Sequence, residues 1–384
     1  MPDNALNVMM VAGETSGDMH AASLAAELLC LKPDIELWGM GGVAMSKAGV
    51  SIEQPMDAVE VMGFVEVLSA LGDIRSAFNR LVKLAAERHP TAAILTDFPD
   101  FNLRLAARLK EMGIPIIYFI SPKVWAWRKR RAKTIAELVD LMLLILPFEP
   151  DFYRQLGVKN PVYVGNPLVD QLQPMLDRSD ADIRTELGLK PDEPVIGVLP
   201  GSRYNEIKQH ALAFSQGALK AAEKVGGATV LVAPPAGDKA DKFGELVKGL
   251  PVRVVPGKSR EVLRVSKVAL VKSGTGTLEA AVLGTPAVVA FKCNFFTYLL
   301  LRMMVNISRV ALPNIIAGRE VYPEIIQDIS PDRIAGAIEK IWQGDEREKM
   351  IAGIKEVRDK LGPPGAARRA AEAVAAFLDS RTRA

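Results

Sequence analysis

The feature that most constrains this chain is a repeated alternation: short apolar runs end in Gly, Ser, Pro or Asp, and an amphipathic stretch of helical length follows each. Such switching of period, from buried strand to helix, calls for an α/β fold with parallel sheets. Strands are predicted at 8–12, 35–39, 92–96, 116–120, 141–146 and 162–164, and the pattern resumes at 195–199, 229–233, 252–255, 269–271 and 287–291. Residues 166–193 hold Pro167, Pro174 and Pro191, with Pro194 just beyond, and no strand pattern, so they read as a connection. From Ser330 the chain reads helical, with breaks near Gly344 and at 362–365. The expected architecture is two Rossmann-like domains, 1–167 and 168–330, facing a cleft, with a helical tail at 331–384 and ligands at the carboxyl ends of the strands.

Composition removes several function classes. Against 45 acidic residues stand 48 basic ones, and a net charge of +3 is too small for a protein whose whole surface binds nucleic acid. Two cysteines, Cys30 and Cys293, cannot build a disulfide framework, and His20, His89 and His210 are too scattered for a metal cluster, so a reducing cytosol and no metal are expected. The first 13 residues carry Asp3 and lack a basic n-region, so no secretory leader is expected. The longest apolar runs, 141–148 and 295–305, fall short of the ~20 residues of a spanning helix, and Arg302 interrupts the second. Lying on a membrane is compatible with this sequence; crossing one is not expected.

The chemistry-bearing residues gather where predicted strands end. Ala12-Gly13-Glu14-Thr15-Ser16-Gly17-Asp18 runs from the first strand into a helix and suits an anionic or hydroxyl-rich ligand, or is a plain βα turn with an N-cap. Gly39-Met40-Gly41-Gly42-Val43-Ala44 nominally fits G-x-G-x-x-A but follows the second strand, which makes it a weak dinucleotide fingerprint. In Thr96-Asp97-Phe98-Pro99-Asp100-Phe101-Asn102, Asp97 lies nearest the strand end and is the preferred general base, while Asp100 reads as the N-terminal acid of the next helix. An N-cap role stays open for both.

Residues 121–133 bring six basic side chains and no acid alongside Trp125 and Trp127; a solvated helix start would explain the basic residues alone, but with the tryptophans they suit a membrane interface, a phosphorylated lipid or, least given the net charge, single-stranded nucleic acid. In the second half, Leu199-Pro200-Gly201-Ser202-Arg203 offers backbone donors and a guanidinium to a diphosphate. Lys272-Ser273-Gly274-Thr275-Gly276-Thr277-Leu278-Glu279 places small hydroxyl residues at a helix N-terminus, with Glu279 available to ribose hydroxyls. Walker A is absent, and Asp180-Ala181-Asp182 matches a short acidic D-x-D pattern inside the connection, where chance explains it.

Taken in order, AGETSGD, GMGG, VMGFVEVL, TDFPDFN, SPKVWAWRKRR, LPFEPDFY, LPGSR, KSGTGTLEA and LPNIIAGREVYPEIIQ closely resemble the lipid-A-disaccharide synthase family of Gram-negative bacteria from about Val8 to Gln327. Asn166 departs from the pattern, because many relatives read G-H-P where this chain reads Gly165-Asn166-Pro167. The resemblance implies an inverting GT-B glycosyltransferase that works without a metal or other cofactor. Its reaction joins UDP-2,3-diacylglucosamine to 2,3-diacylglucosamine 1-phosphate (lipid X), giving the β-1,6-linked disaccharide 1-phosphate and UDP.

By motif, Asp97 is implied as general base, and Glu14, Ser16, Asp18 and Asp100 as the acceptor site. The UDP-sugar site comprises Gly201, Ser202, Arg203, Ser273, Gly274, Thr275, Gly276, Thr277, Glu279, Asn314 and Gln327. Trp125, Trp127, Arg128, Arg130, Arg131, Phe296 and Leu300 are the expected contacts with an anionic membrane surface on the cytoplasmic side of the inner membrane. No nucleic-acid partner is expected, and a homodimer is left open. A UDP-sugar epimerase, another GT-B transferase, and a nucleotide-binding membrane scaffold without turnover are the competing readings.

Overall fold

The computed structural model describes residues 6–58, 64–122, 130–293 and 309–382. Two compact units divide the chain: Met1–Pro167 with Pro364–Ala384, and Leu168–Pro363. The first unit is built on β1 (Asn7–Ala12), β2 (Glu36–Gly41), β3 (Ser51–Pro55), β4 (Ala92–Thr96), β5 (Ile116–Phe119), β6 (Leu141–Leu144) and β7 (Pro161–Tyr163). They form one parallel sheet in the order β3-β2-β1-β4-β5-β6-β7. Both faces are covered, and residues along β1 alternate between two cores. Met9 and Val11 join Trp38, Leu95 and Tyr118 on one side, while Val8 and Met10 join Leu24, Leu28 and Phe119 on the other.

The second unit repeats the plan with β8 (Val195–Leu199), β9 (Thr229–Val232), β10 (Arg253–Val254), β11 (Val268–Lys272), β12 (Ala287–Phe291) and β13 (Glu324–Ile326). Their parallel order is β10-β9-β8-β11-β12-β13. In each unit the strand order reverses at the pair that starts the two halves, β1/β4 and β8/β11, and ligands of such sheets bind outside the carboxyl ends at that point.

Two strands escape the sequence pattern: β3, whose Ser-Ile-Glu-Gln-Pro is a polar edge strand, and β13, only three residues long. The connection carries two helices, Pro167–Leu176 and Asp180–Glu186, and no strand. The helical region 331–384 is divided between the units. Pro331–Lys340 and Asp345–Leu361 stay with the second, whereas Ala366–Thr382 returns to pack on the helix Thr15–Leu31 of the first. Ala370, Ala371, Val374 and Leu378 are fully buried there, and complete burial of a Val or Leu side chain contributes about 1.5–3 kcal/mol. Lys32 Nζ to Asp379 Oδ1 at 2.6 Å and Arg369 Nε to the Val164 carbonyl at 2.8 Å complete the attachment. Among the described residues no helix is long and apolar enough to cross a membrane.

Candidate active site

In the first unit β1 and β4 deliver AGETSGD and TDFPDFN side by side. Glu14 caps the helix Thr15–Leu31 in an extended conformation, and Glu14 and Ser16 are exposed. Asp18, one turn in, is buried and turned the other way. Its carboxylate accepts the amides of Gly42, Ala44 and Met45 at 2.7, 2.9 and 3.2 Å, so it holds the start of the short helix Val43–Lys47 and has little surface left for a ligand. That contact explains Gly42 of GMGG, where a Cβ would sit 2.8 Å from Asp18 Oδ2.

Asp97 and Phe98 follow β4 with φ of 46° and 47°, two consecutive non-glycine residues in the left-handed region. Each costs roughly 1–2 kcal/mol relative to a right-handed residue. The surroundings hold them there. The Asp97 carbonyl accepts the Tyr118 hydroxyl at 2.7 Å and Asn102 Nδ2 at 2.8 Å, and the Asp97 amide donates to the Phe119 carbonyl at 3.0 Å. The Phe98 ring packs against Phe101 and lies where a Gly13 Cβ would be, 2.3 Å from Phe98 Cδ1. Asp97 is half-buried, and Asp100 is exposed in the first turn of Pro99–Glu111.

Beside them Ser121 Oγ donates to buried Glu149 at 2.7 Å, and Tyr153 donates to the Pro122 carbonyl at 2.8 Å. Burial, outweighing the Ser121 contact, raises the Tyr153 phenol well above its ordinary value. These bonds anchor the chain just before the Trp-basic segment. Trp125, Trp127, Arg128, Phe296, Leu300 and the VMGFVEVL motif's first residues lie outside the described residues, as do the side chains of Arg130 and Arg131. Asn166 is buried and donates to the Ile145 carbonyl at 3.0 Å.

In the second unit β8 and β11 bring the LPGSR and KSGTG turns together. Gly201 has φ 115°, and Glu206 reaches back beneath the turn: its Oε2 accepts the amides of Ser202 and Arg203 at 3.1 and 3.3 Å, and its Oε1 pairs with Lys272 Nζ at 2.9 Å. Burial by itself would raise the Glu206 carboxyl, but the Lys272 ammonium and the two amides outweigh it and hold the carboxyl below its ordinary value. In this structure the Ser202 and Arg203 amides, expected to face a diphosphate, are bonded to Glu206. The Arg203 guanidinium, in contrast, is exposed and forms no ion pair among the described residues.

One turn further along the helix Tyr204–Lys224, buried His210 links this turn to the end of β12. Its Nε2 accepts the Lys292 amide at 3.1 Å, which requires Nδ1–H to donate to the Glu206 carbonyl at 2.7 Å. Desolvation lowers the His210 pKa, keeping the ring neutral as both bonds demand.

Gly274, with φ 152°, opens the helix Thr275–Leu283, whose first N–H groups at Thr275 and Gly276 have no helical acceptor. Thr277 is spent on the Gly274 carbonyl through both its amide and its hydroxyl, at 3.1 and 2.8 Å. Ser273 Oγ donates to the Val310 carbonyl at 3.3 Å, and Glu279 pairs with Arg260 at 3.3 Å. Asn314 is fully buried with all four hydrogen-bonding positions occupied: by the Tyr322 carbonyl and Glu324 on Nδ2, and by the Val321 and Tyr322 amides on Oδ1. Gln327 clamps both backbone groups of Cys293, at 2.8 and 3.1 Å. Asn314 and Gln327 thus direct their hydrogen bonds to neighbouring protein groups. No group of three or more His, Cys, Asp or Glu side chains suited to a metal occurs among the described residues.

The roles of Lys272, His210, Tyr118 and Glu149 are not apparent from spacing. That of Glu206 is signalled by its offset of three residues from the helix start at Arg203.

A model of the family described as lipid-A-disaccharide synthetase matches residues 8–377. The lipid-A-disaccharide synthase of Myxococcus xanthus is 42% identical over 379 residues, covering 98% of both chains, and that of Nitrosococcus oceani is 40% identical, covering 99% of this chain and 98% of the relative. Among solved structures, a UDP-GlcNAc 2-epimerase from Neisseria meningitidis bound to UDP-GlcNAc superposes with a TM-score of 0.62 at 11% identity, covering 99% of this chain and 100% of that one. The calicheamicin glycosyltransferase CalG4 gives 0.62 at 15% identity, covering 98% and 99%. Both likenesses speak to the fold alone, which is GT-B.

Proposed function

The chain belongs to the lipid-A-disaccharide synthase family, and from that premise we propose how its residues carry out the transfer. It is a glycosyltransferase of lipid A biosynthesis, condensing UDP-2,3-diacylglucosamine with lipid X. Asp97 takes the proton from the acceptor's 6-hydroxyl. The freed oxygen forms its bond to the anomeric carbon as the bond from that carbon to the diphosphate breaks, inverting the centre, and UDP leaves with the electron pair. Charge on the departing diphosphate is met by Arg203 and by the N–H groups of Thr275 and Gly276, which replaces the need for a metal ion or other cofactor.

The observation that carries this reading is the left-handed Asp97–Phe98 pair, locked by Tyr118 and Asn102 at the point where the strand order reverses. Backbone strain that several partners enforce is concentrated at functional sites. Glu14, Ser16 and Asp100 are proposed to line the acceptor site, with Asp18 acting through the loop it holds. Gly201, Ser202, Ser273, Gly274, Thr277, Glu279, Asn314 and Gln327 are proposed to shape the donor site around Arg203, Thr275 and Gly276.

Both substrates carry acyl chains, so the enzyme is proposed to sit peripherally on the anionic inner leaflet of the inner membrane, with Trp125, Trp127, Arg128, Arg130, Arg131, Phe296 and Leu300 as contacts. Nucleic acid is not proposed as a partner, and self-association to a homodimer is read by light scattering. UDP release measured with acylated and deacylated acceptors tests the assignment. Release only with acylated acceptor is expected; release with a soluble sugar, or none with either, contradicts it.

A further inference from the structure

Lys272 ends β11 immediately before the Ser273-Gly274-Thr275 turn, and its side chain is only 15% exposed although it carries a charge. A charged side chain held this far out of water at the reversal point of a sheet needs a reason, because desolvating an ammonium is costly. Its partner, Glu206, is itself unusually well supplied. With Lys272 on one oxygen and the Ser202 and Arg203 amides on the other, the carboxylate retains two donors when the lysine turns away. The same turn is approached by a second cation, since Lys239 Nζ donates to the Ser202 carbonyl at 3.0 Å. Lys239 and Lys272 thus bring two ammonium groups to the turn that carries Arg203, with Glu206 as the carboxylate bonded there. An anion with more than one charge completes that balance, whereas the turn's own amides are already taken.

We propose that Lys272 is a substrate-contacting residue: on donor binding its ammonium passes from Glu206 to a non-bridging oxygen of the nucleoside diphosphate, while Glu206 stays behind as the positioning residue that fixes the Ser202–Arg203 backbone. The inference rests on the donor-site reading above and names the cation that reads the phosphates. A flexible four-carbon stem with three donors suits such a change of partner, and a point charge suits phosphate.

The test is calorimetric titration of the full-length protein with UDP and, separately, with uridine. Lys272→Met and Lys272→Gln are expected to weaken UDP about 10- to 100-fold, the range of a charged hydrogen bond, and to leave uridine affinity unchanged. Lys272→Arg is expected to recover most of the loss, and the salt dependence of UDP binding should flatten in the uncharged variants. Lys272→Gln retains a hydrogen bond to Glu206, so it separates charge from folding if Lys272→Met is unstable. Unchanged UDP affinity in a folded Lys272→Gln, or equal losses for UDP and uridine, overturns the proposal while leaving the donor site standing. Wild-type protein that binds neither ligand overturns the donor-site reading and the Lys272 assignment together.

Discussion

The Tyr118 hydroxyl donates to the carbonyl of Asp97 at 2.7 Å, so a residue on β5 fixes the backbone of the residue that follows β4. Tyr118→Phe removes that bond without changing the ring. A net loss of about 0.5–1.5 kcal/mol in stability is expected, with kcat lowered more than KM, because the proton acceptor is displaced while both substrates still bind. Chemical denaturation and steady-state rates on the same samples check this; an unchanged kcat shows that Asp97 does not depend on the lock.

Asp97→Asn is expected to lower kcat by about 10²- to 10⁴-fold, the usual contribution of a general base, and to leave UDP affinity near wild type. Should kcat remain normal, Asp97 is only a turn residue, and Glu14 or Asp100 becomes the base to test.

Gly13 is packed against the Phe98 ring so closely that a new Cβ would lie 2.3 Å from it. Gly13→Ala is therefore expected to cost about 1–3 kcal/mol as an overpacking change and to reduce activity by moving Phe98 and its neighbour Asp97. The variant Gly13→Ala/Phe98→Leu, with a smaller side chain opposite, should recover part of the lost melting temperature. No recovery in the double variant rejects the packing explanation.

The His210 network predicts a dependence on pH. Burial lowers the pKa of His210 in the folded protein from 6.5, so the unfolded chain binds a proton first as pH falls. Stability is thus fully present above 6.5 and declines as pH drops below it towards the folded value. His20, also lowered by burial, adds to the same trend. His210→Gln keeps one donor and one acceptor without titrating in this window. Its melting temperature is expected to fall less than that of wild type between about pH 7 and pH 5.5, and parallel curves exclude His210 as a contributor.

The sequence carried most of this architecture because buried parallel strands announce themselves as apolar runs, as in Met9-Met10-Val11 and Val268-Ala269-Leu270-Val271. Edge strands lack that signature, which is why β3 and β13 were illegible. The division of the tail was hidden for another reason: the buried face of Ala366–Thr382 consists largely of alanines, which suit any helix surface and name no partner. At the candidate site, the motifs did not give the direction of their side chains. Asp18 and Asn314 are polar residues within such motifs, yet their hydrogen bonds go to nearby amides and carbonyls, a distinction that only three-dimensional neighbours supply.

Formation of a glycosidic bond between two acylated glucosamines, with Asp97 as the proton acceptor, can be read directly from the lipid product. Mass spectrometry of the lipid products from synthetic UDP-2,3-diacylglucosamine and lipid X, run in excess chelator with wild type and Asp97→Asn, tests it most directly. Disaccharide 1-phosphate and UDP are expected in equal amounts from wild type, with the chelator making no difference, and only traces from the variant. UDP without disaccharide, an epimerised UDP-sugar, a requirement for added Mg²⁺, or undiminished product from Asp97→Asn would contradict it.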